Sequence, residues 1–360
     1  MAVLLKFGLF FNVLIDFLIC FCRFLTIFAE ILLDFGFFLI FLRKTRKEME
    51  QKAVLILGAG GQLGQAFQND ILNANHNNEF EHFFYNHNQC DITDIESIRK
   101  VFSSVCKPIY AIINCAAYTN VDKAELEPEV AESINVDGIR NIVTAANEYK
   151  EKTGYEPFIV HFSTDYVFDG TSSVPYTEDM ETNPISVYGR TKRDGENMLK
   201  EGYDNFLIIR TSWVFSKYGK NFVKTICRLL REKDEINVVC DQHGCPTTAE
   251  ALAYKVMRIV WNRKKYPTLG KEDKILNLCG DKPTNWFDFA KEIKEWMKMY
   301  HGDAKLAHIN PIISVNYPAE AKRPMYSVLD TTKAKSLGLF DNVWIESFNS
   351  QIVSLVAKES

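Results

Sequence analysis

From residue 53 onward, strand-length apolar runs alternate with segments long enough to form helices, and this alternation constrains the fold more than any other feature. Short apolar runs rich in β-branched and aromatic residues are typical of buried strands. The runs are AVLILG (53–58), FEHFFY (80–85), AIINCAA (111–117), FIVHFST (158–164) and NFLIIRTS (205–212). Because strands separated by single helices form βαβ units, the sequence predicts an α/β fold with a parallel sheet.

The segments between these runs have helical periodicity. A helix is expected from about Gln62, and ITDIESIRKVFSSV (92–105) predicts a second helix with Thr93 as its N-cap. Residues 129–149 predict one long amphipathic helix, and SVYGRTKRDGENMLK (186–200) predicts another. Each predicted strand of this region is therefore followed or preceded by a helix that can cover one face of the sheet.

The first predicted strand runs directly into a glycine-rich loop, GAGGQLG (58–64). Glycines at this place allow a tight turn and a close approach of the backbone to a pyrophosphate, which then faces the N-terminus of the next helix. This arrangement predicts a Rossmann-type doubly wound sheet that binds a dinucleotide. The loop residues expected to bind the cofactor are Gly58, Gly60, Gly61, Gln62, Leu63 and Gly64.

The end of the second predicted strand bears on the choice between NADPH and NADH. It ends in YNHN (85–88), which has neither the acidic residue that holds the ribose of NAD nor an arginine. The lack of a carboxylate removes a repulsion against a 2′-phosphate, which favours NADPH, with NADH as the alternative. Asp91 and Ile92 are expected to contact the adenine. Ala116 and Ala117 end the third predicted strand and leave room for the nicotinamide or its ribose, and Tyr118 follows them as a further expected cofactor contact.

A tyrosine and a lysine four residues apart, Tyr188 and Lys192, follow the fourth strand. On a helix these positions share one face. A nearby ammonium group lowers the pKa of a phenol, so the pair predicts a general acid that works near neutral pH. Thr164, at the end of the fourth strand, supplies a hydroxyl that can orient a carbonyl. Thr164, Tyr188 and Lys192 are therefore the candidate catalytic residues, and Tyr188 and Lys192 are also expected to contact the cofactor.

The chain divides into three predicted regions. Residues 1–48 are a hydrophobic extension, 49–220 a NAD(P)-binding Rossmann domain, and 221–360 mainly a smaller substrate-binding lobe with some strands returning to the sheet. Segment 24–42 is long enough to span a bilayer, but Glu30 and Asp34 near its middle make insertion marginal. Two interpretations stay open: a membrane segment, or a non-native start upstream of Met49.

Charge and cysteine content exclude several classes of protein. A net charge of −4 argues against a nucleic-acid binder that works by bulk electrostatics. The nine cysteines are odd in number and scattered, which favours a reducing compartment and hence the cytoplasm, with membrane attachment through residues 1–48 as the alternative. Cys240 and Cys245 flank His243, but a structural zinc site needs four ligands. No metal site is expected.

Ten segments of the chain together form a family pattern. They are GAGGQLG (58–64), INCAAYTNVDKAE (113–125), INVDG (134–138), STDYVFDGT (163–171), PYTE (175–178), VYGRTK (187–192), RTSWVF (210–215), NFVKT (221–225), DQHGCPT (241–247) and RP (323–324). They follow one another in order across nearly all of residues 52–330. In these segments the chain resembles the extended short-chain dehydrogenase/reductase family and, within it, the dTDP-4-dehydrorhamnose reductases. The first 48 residues lie outside the resemblance.

The resemblance implies hydride transfer from NADPH or NADH to C4 of a 4-keto-6-deoxy nucleotide sugar. Tyr188 is then the proton donor, and Lys192 its activator and a cofactor clamp. The sugar would contact Thr164, Asp165, Tyr166 and Trp213. Bacterial members often carry a glutamate after the last loop glycine that helps to bind magnesium at a dimer interface. Here Gln65 and Ala66 follow Gly64, so the resemblance does not support that magnesium ion. A homodimer stays an expectation without the support of that metal.

Two alternatives remain at this stage. One is a non-catalytic NADP-binding regulatory subunit that resembles the β subunit of methionine adenosyltransferase. The other is a related nucleotide-sugar epimerase, which fits RTSWVF and DQHGCPT less well. A 4,6-dehydratase would need an acidic pair after Thr164, and only Asp165 is present. The presence of Thr164, Tyr188 and Lys192 together favours an enzyme over a binding subunit.

Overall fold

The structure, a computed structural model, describes residues 51–73, 79–302, 305–341 and 343–358. The predictions for residues 1–48 lie outside these ranges. Among the described residues, no helix combines the length and the apolar character that crossing a bilayer requires. Residues from Lys52 onward form one compact unit.

The strands and helices are numbered in chain order. The strands are β1 Lys52–Leu57, β2 Phe80–Tyr85, β3 Ile109–Asn114, β4 Phe158–Thr164, β5 Phe206–Thr211, β6 Val214–Phe215, β7 Glu235–Val239, β8 His243–Gly244, β9 Thr247–Thr248, β10 Ile275–Asn277, β11 Thr284–Asn285 and β12 His308–Ile312. The helices are α1 Gln62–Asn73, α2 Ile95–Ser104, α3 Val121–Leu126, α4 Pro128–Glu132, α5 Gly138–Thr153, α6 Val187–Gly202, α7 Phe222–Glu232, α8 Ala249–Trp261, α9 Trp286–His301, α10 Thr332–Ser336 and α11 Val343–Lys358.

The central sheet has six strands in the order β10-β5-β4-β3-β1-β2, and each neighbouring pair is parallel. Its two faces bury different residues of the same strands, because side chains alternate along a strand. Val54 and Ile56 of β1 pack towards α1 and α8. Leu55 and Leu57 pack on the opposite face towards α2, α5 and α6. Helices on both faces confirm the predicted doubly wound α/β fold.

In the sheet, β2 lies on one side of β1 and β3 lies on the other, so the order of strands reverses at β1. In such a sheet a crevice opens beyond the carboxyl ends of the strands at this reversal of strand order. The glycine-rich loop after β1 and the residues after β3 meet there.

Besides the two clusters on the faces of the central sheet, a further hydrophobic cluster lies outside it. It includes Phe215, Ile226, Phe289 and Ile352, from β6, α7, α9 and α11 respectively. The strands β7 and β12 form a parallel pair beside it. By contrast, β10 belongs to the central sheet, where it pairs with β5.

Two helix predictions need correction. The N-cap of α2 is Asp94 rather than Thr93, because the Asp94 side chain accepts a hydrogen bond from Glu96 N at 2.9 Å. Thr93 donates instead to Asp91 Oδ1. The predicted helix 129–149 is interrupted by a π-helical turn, Ser133–Asp137, between α4 and α5. A π turn often accompanies a functional constraint, and here it contains the buried Asn135.

Candidate active site

The glycine-rich loop is shaped by close contacts that a side chain would prevent. Gly58 has φ +74°, and a Cβ atom there would lie 2.4 Å from Ala116 N. A Cβ at Gly64 would lie 2.5 Å from Ala59 Cα. Gly60 is exposed and would meet only Asn86 Cβ, at 3.6 Å. The loop therefore packs closely against the segment after β3 on one side. On the other side its backbone is uncovered at the N-terminus of α1, which leaves room for a pyrophosphate.

A cavity of about 670 Å³ lies against this loop. Its lining includes seven of the predicted cofactor-binding residues: Gly58, Gly60, Gly61, Asp91, Ile92, Ala116 and Ala117. The volume is within the usual range for ligand pockets, about 300–1,000 Å³. The residues present therefore fit a dinucleotide along the carboxyl ends of β1, β2 and β3.

The remaining predicted cofactor residues lie near this cavity or deeper in the fold. Gln62, Leu63 and Gly64 form the first turn of α1. The Tyr118 hydroxyl donates to Glu127, which draws this side chain towards the start of α4. Burial of Asp91 favours its neutral form, but hydrogen bonds from Thr93 outweigh it and lower the pKa of this carboxyl. Asp91 thus stabilises the loop after β2.

Thr164 and Tyr188 meet at the carboxyl end of β4. Thr164 is its last residue, and Tyr188 lies in the first turn of α6, which Ser186 caps by accepting from Gly189 N at 3.1 Å. Burial raises the pKa of Tyr188 to about 12, while a hydrogen bond with Thr164 lowers it and the charge of Asp165 raises it. The ring of Tyr166 packs edge-on against that of Tyr188, with centroids 5.9 Å apart.

The raised pKa of Tyr188 differs from the sequence prediction of a pKa lowered by Lys192. Burial of the phenol is the main cause, and the lysine amine, which contacts other groups, does not offset it. In the described part of the chain, Lys192 Nζ donates to the Phe162 carbonyl at 2.6 Å and lies 3.3 Å from His161 Nε2. Burial lowers the pKa of Lys192 to about 8, against an opposing effect of Glu196. The activating role of Lys192 stays a prediction.

Asp165 is buried, and both of its carboxylate oxygens have partners. Thr164 Oγ1 lies 3.0 Å from Oδ1, and Ser327 Oγ donates to Oδ2 at 2.5 Å. Burial raises the pKa of Asp165 to about 7, although these hydrogen bonds oppose the shift. The sequence expectation places Asp165 against the sugar, whereas the structure directs its carboxylate inwards. It orients the Thr164 hydroxyl.

Tyr166 connects the end of β4 to the C-terminal part of the chain. Its hydroxyl is hydrogen-bonded to Arg323. Arg323 in turn forms an ion pair with Asp122, with Nη2 2.6 Å from Oδ2, and Ala321 N donates to the same carboxylate at 3.1 Å. Segment 321–323 is thereby attached to α3 beside the two active-site tyrosines.

Trp213 has an unusual backbone conformation. Its φ of +46° lies in a region that costs a residue other than glycine about 1–3 kcal/mol and is enriched at functional sites. Its ring stacks on Trp286 with centroids 3.4 Å apart, and a Cβ at Gly244 would lie 2.4 Å from it. Trp286, Arg323 and Tyr317 help to line a second cavity of about 640 Å³.

The sequence model of the family described as "RmlD substrate binding domain" matches residues 52–358. This chain belongs to that family. The match covers the Rossmann sheet and the C-terminal lobe alike.

Several relatives are named dTDP-4-dehydrorhamnose reductase. A dTDP-4-dehydrorhamnose reductase from Aggregatibacter actinomycetemcomitans is 36% identical over 297 residues, which cover 81% of this chain and 95% of that protein. The structure of a dTDP-4-dehydrorhamnose reductase from Bacillus anthracis str. Ames in complex with NADP has a TM-score of 0.73 at 31% identity, covering 84% of this chain and 99% of the other. A dTDP-4-dehydrorhamnose reductase from Clostridium acetobutylicum ATCC 824 has the same TM-score at 34% identity and the same coverage.

These matches confirm the family resemblance inferred from the sequence motifs. They favour a reductase over the regulatory-subunit and epimerase alternatives. They do not bear on the predicted homodimer. In the described residues, no group of three or more His, Cys, Asp or Glu is placed to hold a metal ion.

The sequence analysis did not single out Asn135, a buried residue whose hydrogen bonds stabilise the candidate active site. Its Oδ1 accepts from Tyr118 N at 2.9 Å, and its Nδ2 donates to Tyr118 O at 3.1 Å and to Thr191 Oγ1 at 3.0 Å. Asn135 therefore joins the segment after β3 to α6, the helix that carries the candidate catalytic residues Tyr188 and Lys192. The sequence signal that could have revealed it is the polar amide of Asn135 at an otherwise apolar position of the predicted amphipathic helix.

A second missed feature lies beneath Lys192. Arg210 of β5 donates to both carboxylate oxygens of Glu196, at 3.0 and 2.8 Å, and both side chains are buried. This bidentate pair keeps the pKa of Glu196 low despite its burial. Only the fold brings these residues together, because they come from different elements.

Proposed function

We propose that this protein reduces the C4 keto group of dTDP-4-dehydro-L-rhamnose to form dTDP-L-rhamnose, with NADPH as the reductant, in nucleotide-sugar synthesis for cell-surface polysaccharides. The observation that carries this proposal is the contact between Thr164 and Tyr188 at the carboxyl end of β4, on the same edge of the parallel sheet as the glycine-rich loop after β1. The named activity of the relatives supports it.

The cofactor would lie along the glycine-rich loop, with its pyrophosphate at the N-terminus of α1. Ala116 and Ala117 leave space for the nicotinamide half, and the segment after β2 carries no carboxylate at Tyr85–Asn88 to repel a 2′-phosphate. NADPH supplies the hydride that reduces the C4 carbonyl carbon.

The protein supplies the proton and the orientation. With a pKa of about 12, Tyr188 keeps its phenolic proton at neutral pH and can donate it to the alkoxide oxygen that forms at C4. The Thr164 hydroxyl has a single proton, which it donates to Asp165 in the ligand-free protein. To donate to the alkoxide oxygen, this hydroxyl would turn away from Asp165 when the substrate binds. The proposed role of Lys192 is to stabilise the phenolate after proton transfer and to contact the cofactor ribose.

The sugar nucleotide would occupy the space between Tyr188 and the C-terminal lobe. Tyr166 packs on the catalytic tyrosine, and Arg323 provides a cation for a diphosphate. Trp213, held in a strained backbone by its stack on Trp286, would contact the sugar. These substrate contacts, a cytoplasmic location and a homodimer remain parts of the proposal.

The test is NADPH oxidation by the full chain with dTDP-4-dehydro-L-rhamnose generated in situ by a 3,5-epimerase. We expect turnover in the wild type and a loss of about 10²-fold or more in kcat for Tyr188→Phe, the range expected for a lost general acid. Tyr203→Phe is the matched control, because the buried Tyr203 hydroxyl donates to Pro157 O, away from the site. Near-normal turnover of Tyr188→Phe would refute the proton-donor assignment.

A further inference from the structure

Three buried polar side chains from different elements lie in a row under the active site. Asn114 ends β3, His161 lies in the middle of β4, and Lys192 lies in α6; each is at most 2% exposed. Asn114 Nδ2 is 3.2 Å from His161 Nδ1, and Lys192 Nζ is 3.3 Å from His161 Nε2. The imidazole is thus contacted at both ring nitrogens.

The orientation of Asn114 is determined by a backbone contact. Its Oδ1 accepts a hydrogen bond from Ala116 N at 3.1 Å, so its amide nitrogen, which can only donate, faces His161 Nδ1. Nδ1 must then be the acceptor. A neutral imidazole carries one N–H, and it is therefore on Nε2.

This tautomer directs an N–H group at Lys192. An ammonium group has only donors, so it would face another donor at 3.3 Å in a buried site. A neutral amine has a lone pair that accepts from Nε2–H, while it donates to the Phe162 carbonyl at 2.6 Å. Only the neutral amine satisfies all the contacts in the row.

The electrostatic surroundings agree with this assignment. Burial and the neighbouring Lys192 hold the pKa of His161 well below its usual value, so the imidazole is neutral at physiological pH. Burial lowers the pKa of Lys192 to about 8. Glu196, on the same helix, favours the charged lysine, but Arg210 of β5 and Lys200 of α6 both pair with this carboxylate.

We infer that His161, with its Nδ1 held by Asn114, is a positioning residue for Lys192: it donates from Nε2 to the lysine amine and thereby favours the neutral amine over the ammonium in the ligand-free protein. The inference rests on the proposed function only for its consequence: Lys192 would gain its proton as the cofactor and substrate bind. The row itself is independent of which substrate is used.

The direct test is NMR on the ligand-free full chain. With ¹⁵N-labelled histidine, we expect the His161 ring to be protonated at Nε2 and bare at Nδ1. With ¹³C-labelled lysine, we expect the ε-methylene signal of Lys192, assigned by its loss in Lys192→Met, to titrate near pH 8.

The variant His161→Gln distinguishes a hydrogen-bonding role of His161 towards Lys192 from a role in packing alone. A glutamine amide can turn its oxygen towards Nζ and accept from an ammonium, so the Lys192 titration should move up by about one pH unit, the net worth of one hydrogen bond. The pH dependence of kcat should shift in the same direction. His82→Gln is the matched control, because His82 lies in β2, where its Nε2 faces Trp261 Nε1 at 3.1 Å.

An Nδ1-protonated ring in the wild type, or a Lys192 titration that is unchanged in His161→Gln, would overturn the inference. If His161→Gln does not fold, the ring tautomer of the wild type still decides. Both measurements are made without substrate. A wild type that shows the predicted tautomer and titration but does not turn over the sugar nucleotide would instead refute the proposed function.

Discussion

At the scale of single residues, the active site depends on polar groups whose charge is set by burial. Tyr188 keeps its proton because the effect of desolvation on its pKa outweighs that of the hydrogen bond with Thr164. Asp165 is held with a raised pKa directly beneath that threonine. Burial thus keeps the proposed acid, Tyr188, protonated, and it also favours the neutral, protonated form of Asp165.

The buried Asp165 makes stability depend on pH. Its pKa is about 7 in the folded state and near 3.8 when unfolded, so the folded state binds the extra proton between these values. Stability should therefore fall as pH rises from about 4 to 7. Asp165→Asn removes this titration, and we expect the wild type to lose more thermal stability than the variant between pH 5 and pH 8. Parallel melting curves of the two proteins across this range would contradict the prediction.

At the scale of elements, a polar contact joins the glycine-rich loop to the C-terminal lobe. Gln62 Oε1, in the first turn of α1, accepts from Asn221 Nδ2 at 3.0 Å and from Ser216 Oγ at 3.2 Å. Asn221 is also the N-cap of α7, where its Oδ1 accepts from Lys224 N at 3.1 Å. One side chain therefore stabilises a helix and positions the loop proposed to bind the cofactor.

Two substitutions of Asn221 distinguish its role as the N-cap of α7 from its hydrogen bond to Gln62. Asn221→Ser keeps a capping oxygen but loses the donor to Gln62, so NADPH binding should weaken by about fivefold, as expected for about 1 kcal/mol, with little change in stability. Asn221→Ala loses both contacts and should also destabilise the protein by about 1 kcal/mol. NADPH titration and denaturant unfolding measure the two effects. Equal stability of the serine and alanine variants would show that the cap contributes nothing.

At the scale of the whole molecule, Arg323 connects the two parts of the chain that enclose the proposed substrate site. It pairs with Asp122 of α3 and contacts the hydroxyl of Tyr166 after β4. Burial disfavours the charged form of Asp122, but Arg323 outweighs it and lowers the pKa of this carboxyl. The link should therefore persist through the neutral pH range.

Arg323→Met should impair use of the sugar nucleotide more than cofactor binding. Loss of a partly buried charged partner costs about 2–3 kcal/mol, so KM for the sugar should rise at least tenfold while the Kd for NADPH stays close to that of the wild type. Arg99→Met is a suitable control, since Arg99 pairs with Glu96 and Glu148 on an exposed surface. A large loss of NADPH binding in Arg323→Met would place this arginine at the cofactor instead.

The sequence by itself determined the order of strands and helices, the doubly wound class of the fold and the glycine-rich loop. Short apolar runs, helical apolar periodicity, and a glycine at Gly58, where the backbone has φ above zero, are local properties of the chain. Thr164 and Tyr188 could be placed together for the same reason, since each lies at the end of a predictable element.

Only the tertiary structure decided where the long polar side chains point. Lys192 was predicted to lie beside Tyr188 from its spacing, but spacing does not reveal that a backbone carbonyl and His161 on the neighbouring strand compete for its amine. The π turn around Asn135 and the Asn221–Gln62 contact join residues far apart in sequence. Hydrogen bonds among buried groups are strong only once water is excluded, so the folded packing, and not the local pattern, selects their partners.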